Sequence, residues 1–536
     1  MSRKSVKKNS SESAAEKVRQ QVAVQKNKDL IWREAIIFIG TFIFFTLFAR
    51  LGIDPHHDGV MLIPAMRVAD GAVVFRDVFC QYGLLVPLIQ GLAVKLFGGE
   101  LLVIRMLTVL FYAGSAVLLD LLWRRYLPAK LSCFTAVVFC LLASCTMVTF
   151  HSWNSVYALF FMLLSGFFLL RYLESDGSKR RELCFAGVAA GLTWGCRTPC
   201  GLVTVFAAVL VLLGANWFTG KDRCQIMKEA GSYAAGALAV AVPALSYIIF
   251  TGAWEDFIKQ NFSFVSSFVA RRGGGGNWTY FSESMFPFYQ EEYYFFNSFF
   301  ALMPLGAMVM LYFSCRKGVL DGKEVMKKEL PFIALLVLGL GSWHQYYPVP
   351  CVRHLFWGGA PLFGAYLLML CRLWQGKTML KKLLMVFLGI VLIGAVAVRV
   401  AGGMMRLSSI DSWGSRNVAG IRGIKLNQME CGIVDMLLLT NRLPENIRQR
   451  GVMNWSEDSL YSAMIPGSGF QDLQFYRFDA EQYPGYDMKV FQHIMREHPV
   501  VLTDHEVVPP GYAVAMEALY FDRVLRILVP VADYQR

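Results

Sequence analysis

Residues 34–59 read EAIIFIGTFIFFTLFARLGIDPHHDG, and this stretch decides the architecture. Residues 34–51 carry charge only at Glu34 and Arg50. A run of that kind is close to the roughly 20 apolar residues a helix needs to cross a bilayer. It follows a long polar arm and shows no small-residue cleavage site, so it reads as a retained span and not a cleaved leader. Directly behind it, Asp54-Pro55-His56-His57-Asp58-Gly59 puts two carboxylates and two imidazoles at the lipid–water boundary.

Ten more stretches have the same character: 101–123, 131–150, 155–171, 183–197, 200–217, 231–250, 295–315, 331–347, 354–371 and 383–400. The whole chain agrees, with 55% hydrophobic and 17% charged residues and a mean hydropathy of +0.44. That balance excludes a disordered chain and an ordinary cytosolic enzyme. The net charge of +13 is a matter of membrane topology here and not of nucleic acid. Basic residues fill the N-terminal arm and every second loop: Arg124, Arg125 and Lys130, then Lys179–Arg181, then Lys221, Arg223 and Lys228, then Arg316–Lys328, then Arg372–Lys382. They share one side only if the spans number eleven, which predicts a cytoplasmic N-terminus and an outer C-terminus. Residues 84–97 are too short to span and contain Pro87 and Lys95, so they are expected as a helix along the outer surface.

The expected organisation is a disordered basic arm (1–30), an all-α polytopic membrane bundle (31–401) with outer loops 52–100 and 251–294, and a small outer α/β domain (402–536). In that tail PVVLTDHEVV and VLRILVPV read as strands and YDMKVFQHIMREH as a helix. Most cysteines lie in apolar runs, and zinc spacing is absent. Gly273–Gly276, flanked by aromatics, read either as a surface anchor or as a lid.

All eight histidines, at 56, 57, 151, 344, 354, 493, 498 and 505, map to the outer side. Three accounts fit the 54–59 cluster: a metal site, a plain solvated loop, or a catalytic carboxylate acting as general base. No third ligand follows at metal spacing. Arg105, Arg197, Arg353 and His354 fall at the same level. Each alone can snorkel to headgroups, whereas together with a carboxylate they suit a phosphate.

The run Asp54-Pro55-His56-His57-Asp58-Gly59, Pro64-Ala65, Gly71, Phe75-Arg76-Asp77, Gln81-Tyr82-Gly83, Lys95-Leu96-Phe97-Gly98 and Arg105 resembles polytopic glycosyltransferases of the C fold. This is the superfamily of polyprenyl-phosphate-dependent mannosyl and aminoarabinose transferases. Leu84 stands where the family often has Pro, and His57-Asp58 where it has an Asp-Glu pair. The match covers 34–125 well, is looser to about 400 and does not reach the tail. The resemblance implies an integral membrane enzyme, expected in a bacterial cell membrane. It would move a sugar with inversion from a polyprenyl-phosphate donor to a hydroxyl of a glycan, lipid or protein on the outer face. Asp58 is then the general base, with Asp54 in reserve. Arg105, Arg197, Arg353 and His354 receive the lipid phosphate, and His56, His57, Arg76, Asp77, Gln81 and Tyr82 line the substrate. No cofactor is implied and a divalent cation is not indicated. The alternative is a transporter or flippase of a lipid-linked saccharide, which calls for internal repeats and polar mid-membrane helices not found in the sequence. A structural subunit recruiting a partner through its tail is the third reading.

Overall fold

The computed structural model describes residues 30–175, 177–220, 222–272, 277–288, 294–410, 413–465, 486–520 and 523–531. The arm up to residue 29 and Gly273–Gly276 lie outside the described residues. Helix α1 (Leu30–Ala49) leads through a short non-helical link into α2 (Pro55–Ala69). The sequence dictates this junction. A residue before proline is steered out of the helical region, and Asp54 is extended (φ −120°, ψ 96°). Pro55 suits the first helical position, and the Asp54 side chain caps the helix by accepting from His57 N–H at 3.0 Å.

The bundle continues with α3 (Leu85–Phe97), α4 (Leu101–Trp123), α5 (Ala129–Leu141), α6 (Asn154–Glu174), α7 (Arg180–Cys196), α8 (Thr198–Thr219) and α9 (Arg223–Phe250). After several short helices between 254 and 285 come α10 (Tyr294–Asp321), α11 (Lys323–Ser342), α12 (Val352–Gly359), α13 (Phe363–Trp374) and α14 (Met379–Ser408). Among the described residues, eight segments are long and apolar enough to cross a membrane: α1, α4, α6, α8, α9, α10, the α12–α13 stretch and α14. Their outer faces leave side chains such as Ile36, Phe206 and Ile393 exposed, as lipid contact requires. Three expected spans fall short of that standard. The stretch 131–150 is helical only to Leu141, α7 has 17 residues, and α11 opens on Lys323, Glu324, Lys327, Lys328 and Glu329. The short helix expected at 84–97 is α3, packed on α2 and α4 with Leu92, Leu96 and Phe97 exposed.

Ion pairs tie the basic loops into one end of the bundle: Arg33–Asp120, Arg124–Glu34, Arg125–Glu174, Arg171–Glu182 and Lys317–Glu329. The opposite end of α1 leads to Asp54. Helices α7 and α9 touch backbone to backbone. A Cβ on Gly187 would lie 2.1 Å from Tyr233 O, and one on Gly236 2.0 Å from Cys184 O, so only glycine permits this approach.

The tail begins with a two-stranded antiparallel ribbon, β1 (Gly414–Ser415) and β2 (Lys425–Leu426), followed by α15 (Gln428–Leu439). It then forms a four-stranded sheet from β3 (Val452–Trp455), β4 (Val500–Thr503), β5 (Tyr512–Tyr520) and β6 (Arg523–Pro530), in the order β3-β4-β6-β5. The β3–β4 pair is parallel and the other pairs are antiparallel. Helix α16 (Tyr486–Glu497) buries Val490 and Ile494 against Met453, Trp455, Val501 and Leu528. The strands and helix expected from the tail sequence are present as β4, β6 and α16, and the tail is the small α/β unit anticipated.

Candidate active site

The two carboxylates of the 54–59 cluster lie four residues apart and face different worlds. Asp58 is 1% exposed and its Oδ2 accepts from Arg105 Nη2 at 2.7 Å. Arg105 is itself fully buried, and its Nη1 donates to Ala49 O and Gly52 O at 2.9 and 3.0 Å. Asp58 Oδ2 also accepts from Asp54 N–H at 2.8 Å. Burial pushes the Asp58 carboxyl up to about 7, against the pull of Arg105.

Asp54, with about a quarter of its side chain exposed, has a different set of partners. Its Oδ1 does the capping, which aims Oδ2 at three cationic or donor groups. His57 Nδ1 lies 2.9 Å away, His151 Nε2 3.0 Å and Arg353 Nη2 3.9 Å. Burial by itself would raise the Asp54 carboxyl, but the hydrogen bonds from His151 and His57 prevail and hold it well below the usual carboxylate range. Burial lowers His57 and takes His151 down to about 3, so both imidazoles are neutral donors to an ionised carboxylate.

From this cluster a row of contacts runs toward the other predicted residues. The His57 ring meets Trp153 at 5.5 Å, Trp153 meets Tyr82 at 5.4 Å, and the Arg197 guanidinium lies 5.6 Å over Tyr82. Arg197 donates to Ser155 Oγ and, at 3.0 Å, to Gln345 Oε1. The His354 ring lies tilted 5.8 Å from that of Trp357 and is bonded through Nδ1 to Val349 O at 2.7 Å. Gln81 and Tyr82 border a small cleft with Val60, Met61, Pro64, Gln90 and Asn154. One carboxylate, with Arg353 beside it and Arg197 at the far end of the aromatic row, leaves this stretch with more positive than negative charge, which favours an anion.

The structure thus brings together Asp54, His57, Arg353, Arg197 and Tyr82, with His354 next to Arg353 in α12. It reverses the expected order of the acids. Asp58, the first choice for a base, is enclosed with Arg105, and Asp54 is the one with access. Arg105 cannot meet a phosphate from this position because its guanidinium is sealed between Asp58 and two backbone carbonyls. Arg76 and Asp77 also stand elsewhere: they pair with each other while Asp77 accepts from Val73 N–H and Arg76 donates to Thr251 O. His56 turns to the tail, with Nδ1 2.9 Å from Glu457 O.

Sequence reasoning placed His151 on the outer face but not in the site, and it passed over Trp153, Ser155 and Gln345. His151 is 97 residues from its partner, and no local spacing announces it. It supplies the third ligand-type atom not found near Asp54 in the sequence. Ligand atoms of Asp54, His57 and His151 lie within 4.8 Å of one another, so these three groups could also hold a cation.

Comparison with known proteins agrees with this architecture. A family model, dolichyl-phosphate-mannose-protein mannosyltransferase, matches residues 82–248. The fold is similar to ArnT from Cupriavidus metallidurans bound to undecaprenyl phosphate, with TM-score 0.56 and 12% identity over 93% of this chain and 97% of that one. The apo form of the same protein gives TM-score 0.51 and 10% identity, covering 95% and 99%. Oligosaccharyltransferase AglB from Archaeoglobus fulgidus gives TM-score 0.48 and 10% identity, covering 88% and 69%. No curated protein matches the sequence. The chain shares the fold of ArnT, a multi-pass helical membrane bundle with a small C-terminal sheet domain.

Proposed function

We propose that this protein is a glycosyltransferase that moves a sugar from a polyprenyl-phosphate carrier to a hydroxyl acceptor on the outer membrane face, with inversion. The observation that carries the reading is Asp54: an ionised carboxylate with access, held by His57 and His151, beside Arg353 and one aromatic row from Arg197. The acceptor oxygen attacks the anomeric carbon as the bond from that carbon to the lipid phosphate oxygen breaks. The acceptor proton passes to Asp54. A carboxylate of lowered pKa takes that proton late, once the attacking oxygen has become cationic. Arg353 and Arg197 take the charge developing on the departing phosphate, with His354 beside them. Single displacement from the opposite face inverts the anomeric centre.

A lipid carrier suits both the likeness to a protein bound to undecaprenyl phosphate and the exposed apolar edge of α3 near the site. Charge supports the outer location: the basic loops gather at the end of the bundle away from Asp54, and basic loops favour the cytoplasmic side. The reading assigns no cofactor, since guanidiniums and a carboxylate cover both developing charges.

The test uses the purified full chain with polyprenyl-phosphate sugars and follows release of free polyprenyl phosphate. Release that requires an acceptor and disappears in Asp54→Asn supports the reading. A fully active Asp54→Asn protein refutes the assignment, and movement of intact lipid-linked sugar between leaflets without release would mark a transporter.

A further inference from the structure

The segment that carries Asp54 is gripped from both sides by the tail. Upstream, Lys425 N–H donates to Arg50 O at 2.7 Å and Gly52 N–H to Lys425 O at 2.8 Å, so this stretch pairs in parallel with β2. Ile53 N–H then donates to Glu430 Oε1 at 3.1 Å, with both residues buried. The other oxygen of Glu430 accepts from Asn427 N–H at 2.9 Å, closing the capping box that starts α15. Downstream, Leu460 N–H donates to Pro55 O at 3.1 Å and Glu457 O meets His56 Nδ1 at 2.9 Å. Gly59 fits against the same turn so closely that a Cβ there would lie 2.2 Å from Leu460 N. Two of the partners of Asp54 come from elsewhere: His151 precedes α6 and Arg353 lies in α12. Aligning the carboxylate with them therefore depends on where the tail holds its backbone.

We infer that the outer domain is the frame that sets Asp54, and that Glu430 is a positioning residue acting on it through the Ile53 amide. This assigns the tail a part in the reaction and rests on the transferase reading given above. Without Glu430 the buried Ile53 N–H loses its acceptor, and the peptide leading into Asp54 is free to rotate. The Asp54 carboxylate, with His57 on the same segment, then drifts from His151 and Arg353.

A matched control separates positioning from simple tethering. Glu100 Oε2 accepts from Arg422 N–H at 3.0 Å, which is also a carboxylate joining bundle to tail, but it belongs to the link ahead of α4 and not to the Asp54 segment. In the full-length protein, Glu430→Ala should lower kcat by roughly tenfold to a hundredfold with the KM for the polyprenyl-phosphate sugar little changed. Glu430→Gln, which keeps an oxygen for Ile53 N–H, should recover part of it. Glu100→Ala should leave kcat near the parent value.

A second readout needs no transfer at all: diethyl pyrocarbonate modification of single histidines, followed by peptide mass spectrometry. Glu430→Ala, and Glu430→Gln to a smaller degree, should change the rate at His57 by about threefold or more while His498 in the tail reacts as before. Equal losses in Glu430→Ala and Glu100→Ala overturn the inference, as does an unchanged His57 rate in both Glu430 variants. Should the parent protein show no transfer, the transferase reading falls, and the His57 rates still decide whether Glu430 sets this segment.

Discussion

Asp54 and Asp58 belong to the same short stretch, and Asp58 even accepts a hydrogen bond from the Asp54 amide, yet they answer to opposite physics. Around Asp58 there is a single guanidinium and almost no exposed surface, and burial raises its pKa. Around Asp54 there are two neutral imidazoles, a guanidinium at 3.9 Å and an opening, and hydrogen bonding lowers its pKa. A buried ion pair of the first kind fixes a helix junction. An accessible carboxylate of the second kind, held in its ionised form by hydrogen bonds, can meet a substrate. Charge type is the same in both, so environment alone separates the roles.

The sharpest way to break this comparison is to neutralise each acid in turn. Asp54→Asn should cut transfer by roughly a thousandfold or more while protein levels in membranes stay near normal, checked by lipid release and by immunoblot. Asp58→Asn should instead lower the amount of folded protein. If Asp58→Asn matched the loss of Asp54→Asn per folded molecule, the division of labour would collapse.

The next effect concerns stability. Removing one partner of the enclosed pair, as in Arg105→Met or Asp58→Asn alone, should cost about 3–5 kcal/mol, because the other charge stays buried without its counterpart. The double variant should cost less than either single one. Thermal unfolding of the detergent-solubilised protein measures all three, and a double variant worse than both singles would show that the pair is not the coupled unit.

A smaller effect separates the two acids by pH. His151 is held neutral down to about pH 3 in the fold, whereas an unfolded chain protonates it near 6.5. The unfolded state therefore binds more protons below 6.5, and stability falls as pH drops through that range. Asp58 acts with the opposite sign: the fold keeps its proton up to about 7 while the unfolded chain releases it near 3.8, so its contribution fades as pH rises from 3.8 to 7. His151→Asn should flatten the acid side of the melting-temperature profile below 6.5 and leave the slope from Asp58 in place. An unchanged acid side would remove His151 from the Asp54 cluster in solution.

The smallest expected effect is that of a chelator. With protons between Asp54, His57 and His151, extensive EDTA treatment should leave transfer unaltered. Loss of transfer restored by a divalent cation would instead assign the trio to a metal.

The bundle and the α/β tail were legible because apolar runs, basic loops and strand-like alternation are local signals, and β4, β6 and α16 fall on the quoted segments. The end of the molecule that holds the site was legible for the same reason: Asp54-Pro55-His56-His57 is a cap, a helix start and a ligand set in one stretch. What failed was the choice between neighbours. A motif spacing favoured Asp58, but its pairing with Arg105, 47 residues on, leaves no local trace in the sequence. His151, Ser155, Gln345 and Glu430 stayed hidden because their partners lie 97, 42, 148 and 377 residues away. Arg76 and Asp77 looked like substrate ligands, yet they organise their own loop by bonding to Val73 and Thr251.

The pairing of the Asp54 stretch with Lys425, Glu430, Glu457 and Leu460 also sets an order of events during biosynthesis. The acid emerges from the ribosome early, while the groups that hold its neighbours follow much later: Glu430, which accepts from Ile53 N–H, lies 377 positions beyond Ile53, and Glu457, whose carbonyl meets His56, lies 401 beyond His56. A nascent chain stalled in between would already have its first helices in the bilayer but no fixed carboxylate among them. The geometry around Asp54 would thus be complete only once synthesis has passed Leu460, so a half-made copy has the acid without its frame.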